Sequence, residues 1–528
     1  MTIQIFDGRT SVSRRTLLRG AATGALAVAG TLALPAFVRA ASRPTIPGGV
    51  QSGDIAADRG VFWARADRPA RAHFEWSTTD SFKDVHRLPA VDALPDTDYA
   101  VKILARGLPS DQEIFWRVGF TDLNDVNAVS EPAVGHFRTA PTQKRDISFT
   151  WSGDTAGQGW GIDESRGGMT IYSTMLKHRP DFFIHSGDTI YADGVIEAEV
   201  ELPDGTKWKN IVTPEKSKVA ETLDEYRGQY KYNLMDANVR TFNAAVPMLA
   251  QWDDHEVTNN WSSSKQLGDA YKEKSIELLS ARAFRAFHEM MPIATDLSEP
   301  QRVYRKVAYG PMLDVFFLDM RTYRGPNGDN LEAEEGPNSM YLGADQRAWL
   351  KRELKASKAT WKVIAADMPL GLVVWDNAKD KKGFEAIANN EPGKPLGREL
   401  EFADLLKFIK DSQIRNTVWL TADVHYTAAH YYDPEKAVFQ DFDPFWEFVS
   451  GPLHSGTFGP GDLDPTFGPQ LRYAKAPTAE QGQNLSPAAG LQFFGHVQIA
   501  ADTEVMTVTL RDAADAALWS TDLTPVKA

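Results

Sequence analysis

Between Ile46 and about Thr139 the chain is written in short apolar runs separated by Gly, Pro and Asp. The runs at 60–65, 72–76, 99–104 and 114–120 each suit a strand. Their spacing predicts a small antiparallel β-sandwich of immunoglobulin type. Residues 137–144 read as a last strand running into an interdomain linker. After Arg145 the rhythm changes, and apolar runs alternate with helix-length segments, the mark of an α/β layer architecture. Residues 343–354 carry apolar positions at helical spacing and lead to a strand at 361–366. Segments 202–218 and 375–397 are polar and Gly/Lys-rich, and read as loops or insertions.

Residues 1–40 do not read as fold. Ser13-Arg14-Arg15-Thr16-Leu17-Leu18 is a twin-arginine pattern, a weakly apolar stretch follows over 20–38, and Val38-Arg39-Ala40 offers a cleavage site. The pattern predicts transport of folded protein by the twin-arginine export machinery, to the periplasm or beyond the cell. Pro35 and Arg39 close the stretch early, so no stable membrane anchor is expected after cleavage. The expected division is therefore an export signal over 1–40, a β-sandwich over 41–143 and a catalytic domain over 144–528.

Composition narrows the chemistry. Apolar residues make up 42% of the chain and charged residues 24%, which is globular and not disordered. Fifty-seven basic against 71 acidic residues give −14, and losing the five Arg and one Asp of residues 1–40 takes this to −18. No nucleic-acid-binding surface is expected at that charge. Cysteine is absent, which excludes disulfides, thiolate nucleophiles and Cys-ligated metals.

Four apolar runs end in a carboxylate followed by further polar ligands. Residues 147–151 lead into Ser152-Gly153-Asp154, and 182–185 into Ser186-Gly187-Asp188-Thr189-Ile190-Tyr191. Residues 246–252 lead into Asp253-Asp254-His255-Glu256 and then Asn259-Asn260, and 417–420 into Thr421-Ala422-Asp423-Val424-His425. In a largely parallel sheet such tips meet at one edge, where open α/β sheets keep their sites. Carboxylates leaving buried strands are costly to desolvate unless cations neutralise them, so the pattern points to a metal centre. Hard oxygen ligands favour calcium, magnesium, manganese or ferric iron, and the imidazole of His425 and phenol of Tyr191 shift one position toward iron. A lone Gly-Asp after a strand is usually a turn. Asp319 and Asp367 are strand-end acids with no evident cluster, and His185 reads as a core or supporting residue.

The Gly-Asp-x-x-Tyr, Asp-Asp-His-Glu plus Asn-Asn, and Asp-x-His motifs resemble the PhoD-type alkaline phosphatases of the metallophosphoesterase superfamily. Matching segments at 49–54, 226–227, 247–260, 318–324, 346–350 and 447–452 spread the likeness over most of the chain. The resemblance implies an α/β/β/α two-sheet sandwich behind the small β domain, and a site with iron and calcium. Asp188 would bridge metals, Tyr191 would bind iron, Asp423 and His425 would complete the cluster, and Asp254 or Asn260 would hold the far metal. The family's usual Cys ligand is missing, and Asp154 is its natural substitute, as in the purple-acid type. Manganese, zinc or magnesium then become admissible. Implied too is hydrolysis of phosphate monoesters, diesters or both by a metal-activated water. Arg227 is expected to stabilise the phosphoryl charge, and His255 to contact phosphate or protonate the leaving alkoxide. Two other readings are a phospholipase-D-like phosphodiesterase acting on phospholipids and a non-catalytic exported binding protein.

Overall fold

The structure is a computed structural model and describes residues 43–527. The export signal expected over 1–40 lies outside the described residues. No helix among those residues is long and apolar enough to cross a membrane.

Two large sheets form the frame. The nine-stranded sheet runs, in spatial order, Ala517–Leu523, Met506–Asp512, Phe493–Ile499, Ile147–Ser152, Phe182–Ser186, Met248–Gln251, Val50–Gly53, Arg59–Arg65 and Ala100–Arg106. Its three central strands, from Ile147–Ser152 to Met248–Gln251, are parallel. The seven-stranded sheet contains a parallel core of Leu313–Phe317, Trp361–Ala365, Thr417–Thr421 and Phe445–Val449.

Side-chain alternation explains why these strands read as unbroken apolar runs. Phe182 and Ile184 face the other sheet, where they share a core with Val315, Phe317, Val363, Val418 and Leu420. Phe183 points the opposite way, into a core with Tyr172, Phe242 and Phe287 of the outer helices. Phe316, Ile364 and Trp419 likewise face helices Ala344–Ala356 and Glu399–Asp411. Successive side chains leave a strand on opposite faces, and both faces are covered here, so no polar position is left to mark a period. The layers are helices, sheet, sheet, helices.

The segment before residue 143 does not fold apart from this frame. Strands Val50–Gly53, Arg59–Arg65 and Ala100–Arg106 belong to the nine-stranded sheet, joined through a parallel pairing of Val50–Gly53 with Met248–Gln251. Only the strands Ala70–Ser77, His86–Arg87, Val91–Ala93, Glu113–Asp122 and Ala133–Arg138 make a separate five-stranded sheet. Phe62 stacks on Trp116 of that small sheet at 4.6 Å between ring centroids. Its neighbour Trp63 points the other way and donates its indole N–H to Glu289 O at 2.7 Å, in helix Ile276–Met290. The strand is thus buried on both faces, as a central strand is.

Segments 202–218 and 375–397 are not wholly irregular. Each holds part or all of a short hairpin, Glu199–Glu201 with Lys207–Lys209 and Trp375–Asn377 with Lys382–Phe384. Strand pairs this short leave almost no periodic signal.

The frame is tightly packed where Ile147–Ser152 meets Phe493–Ile499. A Cβ on Gly495 would lie 1.9 Å from the Trp151 ring, which is fully buried. Gly495→Ala is expected to cost about 3 kcal/mol through overpacking, read as a lowered urea midpoint at unchanged slope.

Candidate metal centre

The parallel strands of both sheets end on the same side, and the loops leaving them carry the ligands. Asp154 follows Ile147–Ser152, Asp188 follows Phe182–Ser186, Asp253 and Asp254 follow Met248–Gln251, and Asp423 follows Thr417–Thr421. Backbone conformation marks these loops as unusual. Asp154, Asp188, Asn260, Asp423 and His425 all take left-handed conformations, with φ of +69°, +50°, +52°, +64° and +59°. Such a conformation costs about 1–3 kcal/mol outside glycine and persists only where the surroundings enforce it. Gly187, at φ +97°, allows the closest approach, since a Cβ there would meet Asp253 Cβ at 2.4 Å.

Three overlapping sets of ligand atoms result. Those of Asp154, Asp188 and His425 lie within 4.8 Å of one another, as do those of Asp188, Asp254 and His255, and those of Asp253, Asp254 and Asp423. Asp188 and Asp254 each belong to two sets. Tyr191 OH lies 3.0 Å from His425 Nε2 and 3.5 Å from Asp154 Oδ1. His425 Nδ1 is held by Gly456 O, which leaves Nε2 facing the acids. His255 Nδ1 is 2.6 Å from Asp193 Oδ1, while Asn259 N donates to Asp193 Oδ2 at 2.8 Å. Asn260 Nδ2 donates to Asp376 O at 2.9 Å, so its amide oxygen is turned elsewhere. Asp188, Asp254, His255, Asn260, Asp423 and His425 line a cavity of about 640 Å³, with Asp154 and Tyr191 fully buried beside it.

The cluster is short of positive charge. Burial pushes the Asp154 carboxyl up to about 8, and burial is also the first cause that raises Asp188, Asp253 and Asp423. Burial opposes charge on Asp254 as well, but His255, Arg321, the Asn260 N–H and Lys265 keep it ionised below the ordinary range. His255 is raised because Asp193, Asp254 and Asp188 outweigh its burial, whereas burial, with the His255 charge adding to it, takes His425 down to about 4. Asp154 Oδ2 and Asp253 Oδ2 are buried with no partner. Buried carboxylate oxygens without donors, beside an imidazole and a phenol, fit multivalent cations.

Arg227 does not reach this cluster. Its guanidinium bonds Glu289 at 2.7 and 3.0 Å and Asp224 at 3.0 Å, clamping helix Leu223–Asn233 to helix Ile276–Met290. The expectation that it meets the phosphoryl group is corrected: its guanidinium is spent on Glu289 and Asp224 and does not line the cavity. Arg321 is the arginine at the centre. Fully buried, it bonds Asp253 and Glu385, and reaches Asp367 at 3.0 Å and Asp423 at 2.9 Å. Asp367 therefore belongs to the network and is no isolated strand-end acid. Asp319 lies one step out, accepting from Trp252 Nε1 at 3.1 Å and Thr322 Oγ1 at 2.6 Å.

Three participants carried weak signals in the sequence. Glu385 arrives from the polar 375–397 segment, whose carbonyls at Phe384, Glu385 and Ala386 are gripped by buried Arg398. Asp193 follows Tyr191 by two residues with nothing to distinguish it. Glu256 bonds no ligand side chain; it accepts the backbone N–H groups of Asp188, Thr189 and Asp253 at 3.2, 2.6 and 2.8 Å, tying two ligand loops together. His185 is a core residue, its Nε2 3.0 Å from Thr155 Oγ1.

Residues 149–510 match the family described as PhoD-like phosphatase, and residues 31–141 match the PhoD-like phosphatase N-terminal domain. Alkaline phosphatase D of Bacillus subtilis (strain 168) is 28% identical over 437 residues, spanning 78% of this chain and 70% of that protein. The solved structure of PhoD superposes with a TM-score of 0.68 at 21% identity, covering 92% of this chain and 90% of that one. Purple acid phosphatase PPD1 from yellow lupin (Lupinus luteus) seeds gives a TM-score of 0.56 at 13% identity, covering 91% and 74%. The chain is a phosphoric-ester hydrolase. It belongs to the PhoD-like phosphatase family.

Two measurements probe the site's electrostatics. Arg227→Ala removes charged contacts to Glu289, which keeps Arg285 as a partner, and is expected to lower stability by about 1–3 kcal/mol, while kcat/KM per folded molecule stays within about twofold. In metal-free protein, the raised Asp154 carboxyl contributes stability that is complete below its ordinary value of 3.8 and is lost as pH rises through about 8. The urea midpoint of metal-free protein should therefore fall between pH values of about 5 and about 8, and reloading metal should flatten the fall.

Proposed function

We propose that this chain is an exported, metal-dependent alkaline phosphatase hydrolysing phosphate monoesters, diesters or both. The observation that carries the reading is the overlap of three ligand sets around carboxylate oxygens that have no protein partner. Iron and calcium are the proposed metals, with manganese, zinc or magnesium as the alternatives for an all-oxygen-and-nitrogen site. Export rests on the twin-arginine pattern at Arg14 and Arg15.

Asp154, Asp188, Tyr191, Asp254, Asn260, Asp423 and His425 would hold the cations, with Asp188 shared between neighbouring positions. Bound there, multivalent cations supply charge for the phosphoryl oxygens and make water acidic enough to attack phosphorus near neutral pH. The protein's own groups do the rest. Asp193 fixes His255 at Nδ1 and favours the protonated ring, so Nε2 is placed to donate to a phosphate oxygen or to the leaving alkoxide. Glu256 keeps the Asp188 and Asp253 loops from drifting apart. The cavity has one apolar wall, with Leu372, Val373, Trp375 and Phe458, which favours substrates bearing an organic group and keeps the phospholipid reading open as a second one.

Protein purified without chelator should contain bound metal by elemental analysis, and chelation should abolish phosphatase activity until metal is returned. Asp188→Asn should lose about 10³-fold or more in kcat together with part of its metal. Full activity in metal-free protein would defeat the reading. Rates on a soluble monoester, a soluble diester and a dispersed phospholipid decide the substrate class.

A further inference from the structure

A phosphoryl group brings negative charge into a site already crowded with carboxylates, so a mobile cation at the cavity wall is worth finding. The nearby arginines are all committed. Arg321 is fully enclosed by its four carboxylates, Arg324 and Arg398 are buried on backbone carbonyls, and Arg227 is clamped to Glu289. Among the residues lining the cavity, Lys265 is the one lysine or arginine.

Lys265 is held loosely. Its ammonium lies 3.3 Å from Asp376 Oδ1, and the two side chains are 22% and 29% exposed. Asp376 has a second donor, Asn327 Nδ2 at 2.9 Å, so it keeps a partner when Lys265 moves away. Lys265 starts from a fixed point, its backbone N–H donating to Ser262 O at 3.0 Å, five residues beyond Asn260. Its charge already reaches Asp254. A flexible stem ending in a compact ammonium with three donors suits a point charge that changes partners.

We propose that Lys265 leaves Asp376 to bind a non-bridging oxygen of the phosphoryl group, with Asp376 as its resting partner and competitor. The proposal rests on the phosphatase reading above. It predicts that the two residues oppose each other: one recruits phosphate, the other holds the recruiter back.

The test uses metal-loaded full-length protein, with inorganic phosphate as a competitive inhibitor of monoester hydrolysis. Lys265→Met should raise the inhibition constant about tenfold and Lys265→Arg should keep it within about threefold, as expected for loss and retention of one charge-assisted contact. Asp376→Asn keeps the acceptor for Asn327 but frees Lys265, and should lower the constant about two- to threefold. Metal content should match the unmodified protein throughout. An unchanged constant in Lys265→Met, or shifts of the same sign in Lys265→Met and Asp376→Asn, would overturn the assignment. If Lys265→Met does not fold, Asp376→Asn decides alone, and an unchanged or raised constant refutes it. Failure of the phosphatase reading looks different, because the unmodified protein would then keep its activity without metal.

Discussion

The burial of many carboxylates in one place governs the strand-end side of this molecule. Asp154, Asp188, Asp253, Asp254, Asp367, Glu385 and Asp423 meet where water is largely excluded, and one guanidinium cannot balance them. Arg321 neutralises the side nearer the seven-stranded sheet. Even so, Asp154 and Asp253 each keep an oxygen with no donor. A charge deficit of this kind is tolerable in a folded protein only if the acids take up protons or cations take their place. Burial pushes Asp154, Asp188, Asp253 and Asp423 toward the first by raising their carboxyls, while Asp254 stays below the ordinary range. Catalysis in the proposed reading depends on the second.

Holding the acids together requires backbone in a costly conformation, and the sheets supply the leverage. Each ligand loop leaves a strand that is hydrogen-bonded on both sides and buried on both faces, so its end cannot relax toward solvent. Glu256 then fastens two loops by their N–H groups, and Gly187 lets them nearly touch. The left-handed aspartates are thus a consequence of rigid strands converging from two sheets. The hairpin Trp375–Asn377 with Lys382–Phe384 closes the far wall, delivering Glu385 and Asp376 to the cavity while its carbonyls orient Asn260. This mostly polar segment is kept in place by Arg398 and Arg324 together with its few buried apolar side chains, Phe384, Ala386, Ile387 and Ala388.

The amino-terminal strands extend the same logic outward. Strand Arg59–Arg65 separates two different packing partners, with Phe62 on the small sheet and Trp63 on helix Ile276–Met290. Helix Ile276–Met290 is in turn fastened to helix Leu223–Asn233 by the Glu289–Arg227 pair. Arg227 supports the site from a distance, as part of the layer behind the ligand strands.

Local sequence was enough to identify the four ligand-bearing strands, helix Ala344–Ala356 and eight residues that meet at the cluster: Asp154, Asp188, Tyr191, Asp254, His255, Asn260, Asp423 and His425. It succeeded because strand burial and strand-end carboxylates are written in consecutive residues, and because the pattern repeats. What the letters did not contain was which cation would lie inside. Arg227 and Arg321 look alike in the chain; the first sits on an outward helix and the second just past the end of Leu313–Phe317, and only the assembled sheets separate them. Asp367 and Glu385 were undistinguished for the same reason, since each joins the network through Arg321, which lies 46 and 64 residues away in the chain. Strands on the two sides of residue 143 share one sheet. Hydrogen bonding between Val50–Gly53 and Met248–Gln251 joins segments that composition alone divides, because a strand edge pairs with whatever edge the fold brings beside it.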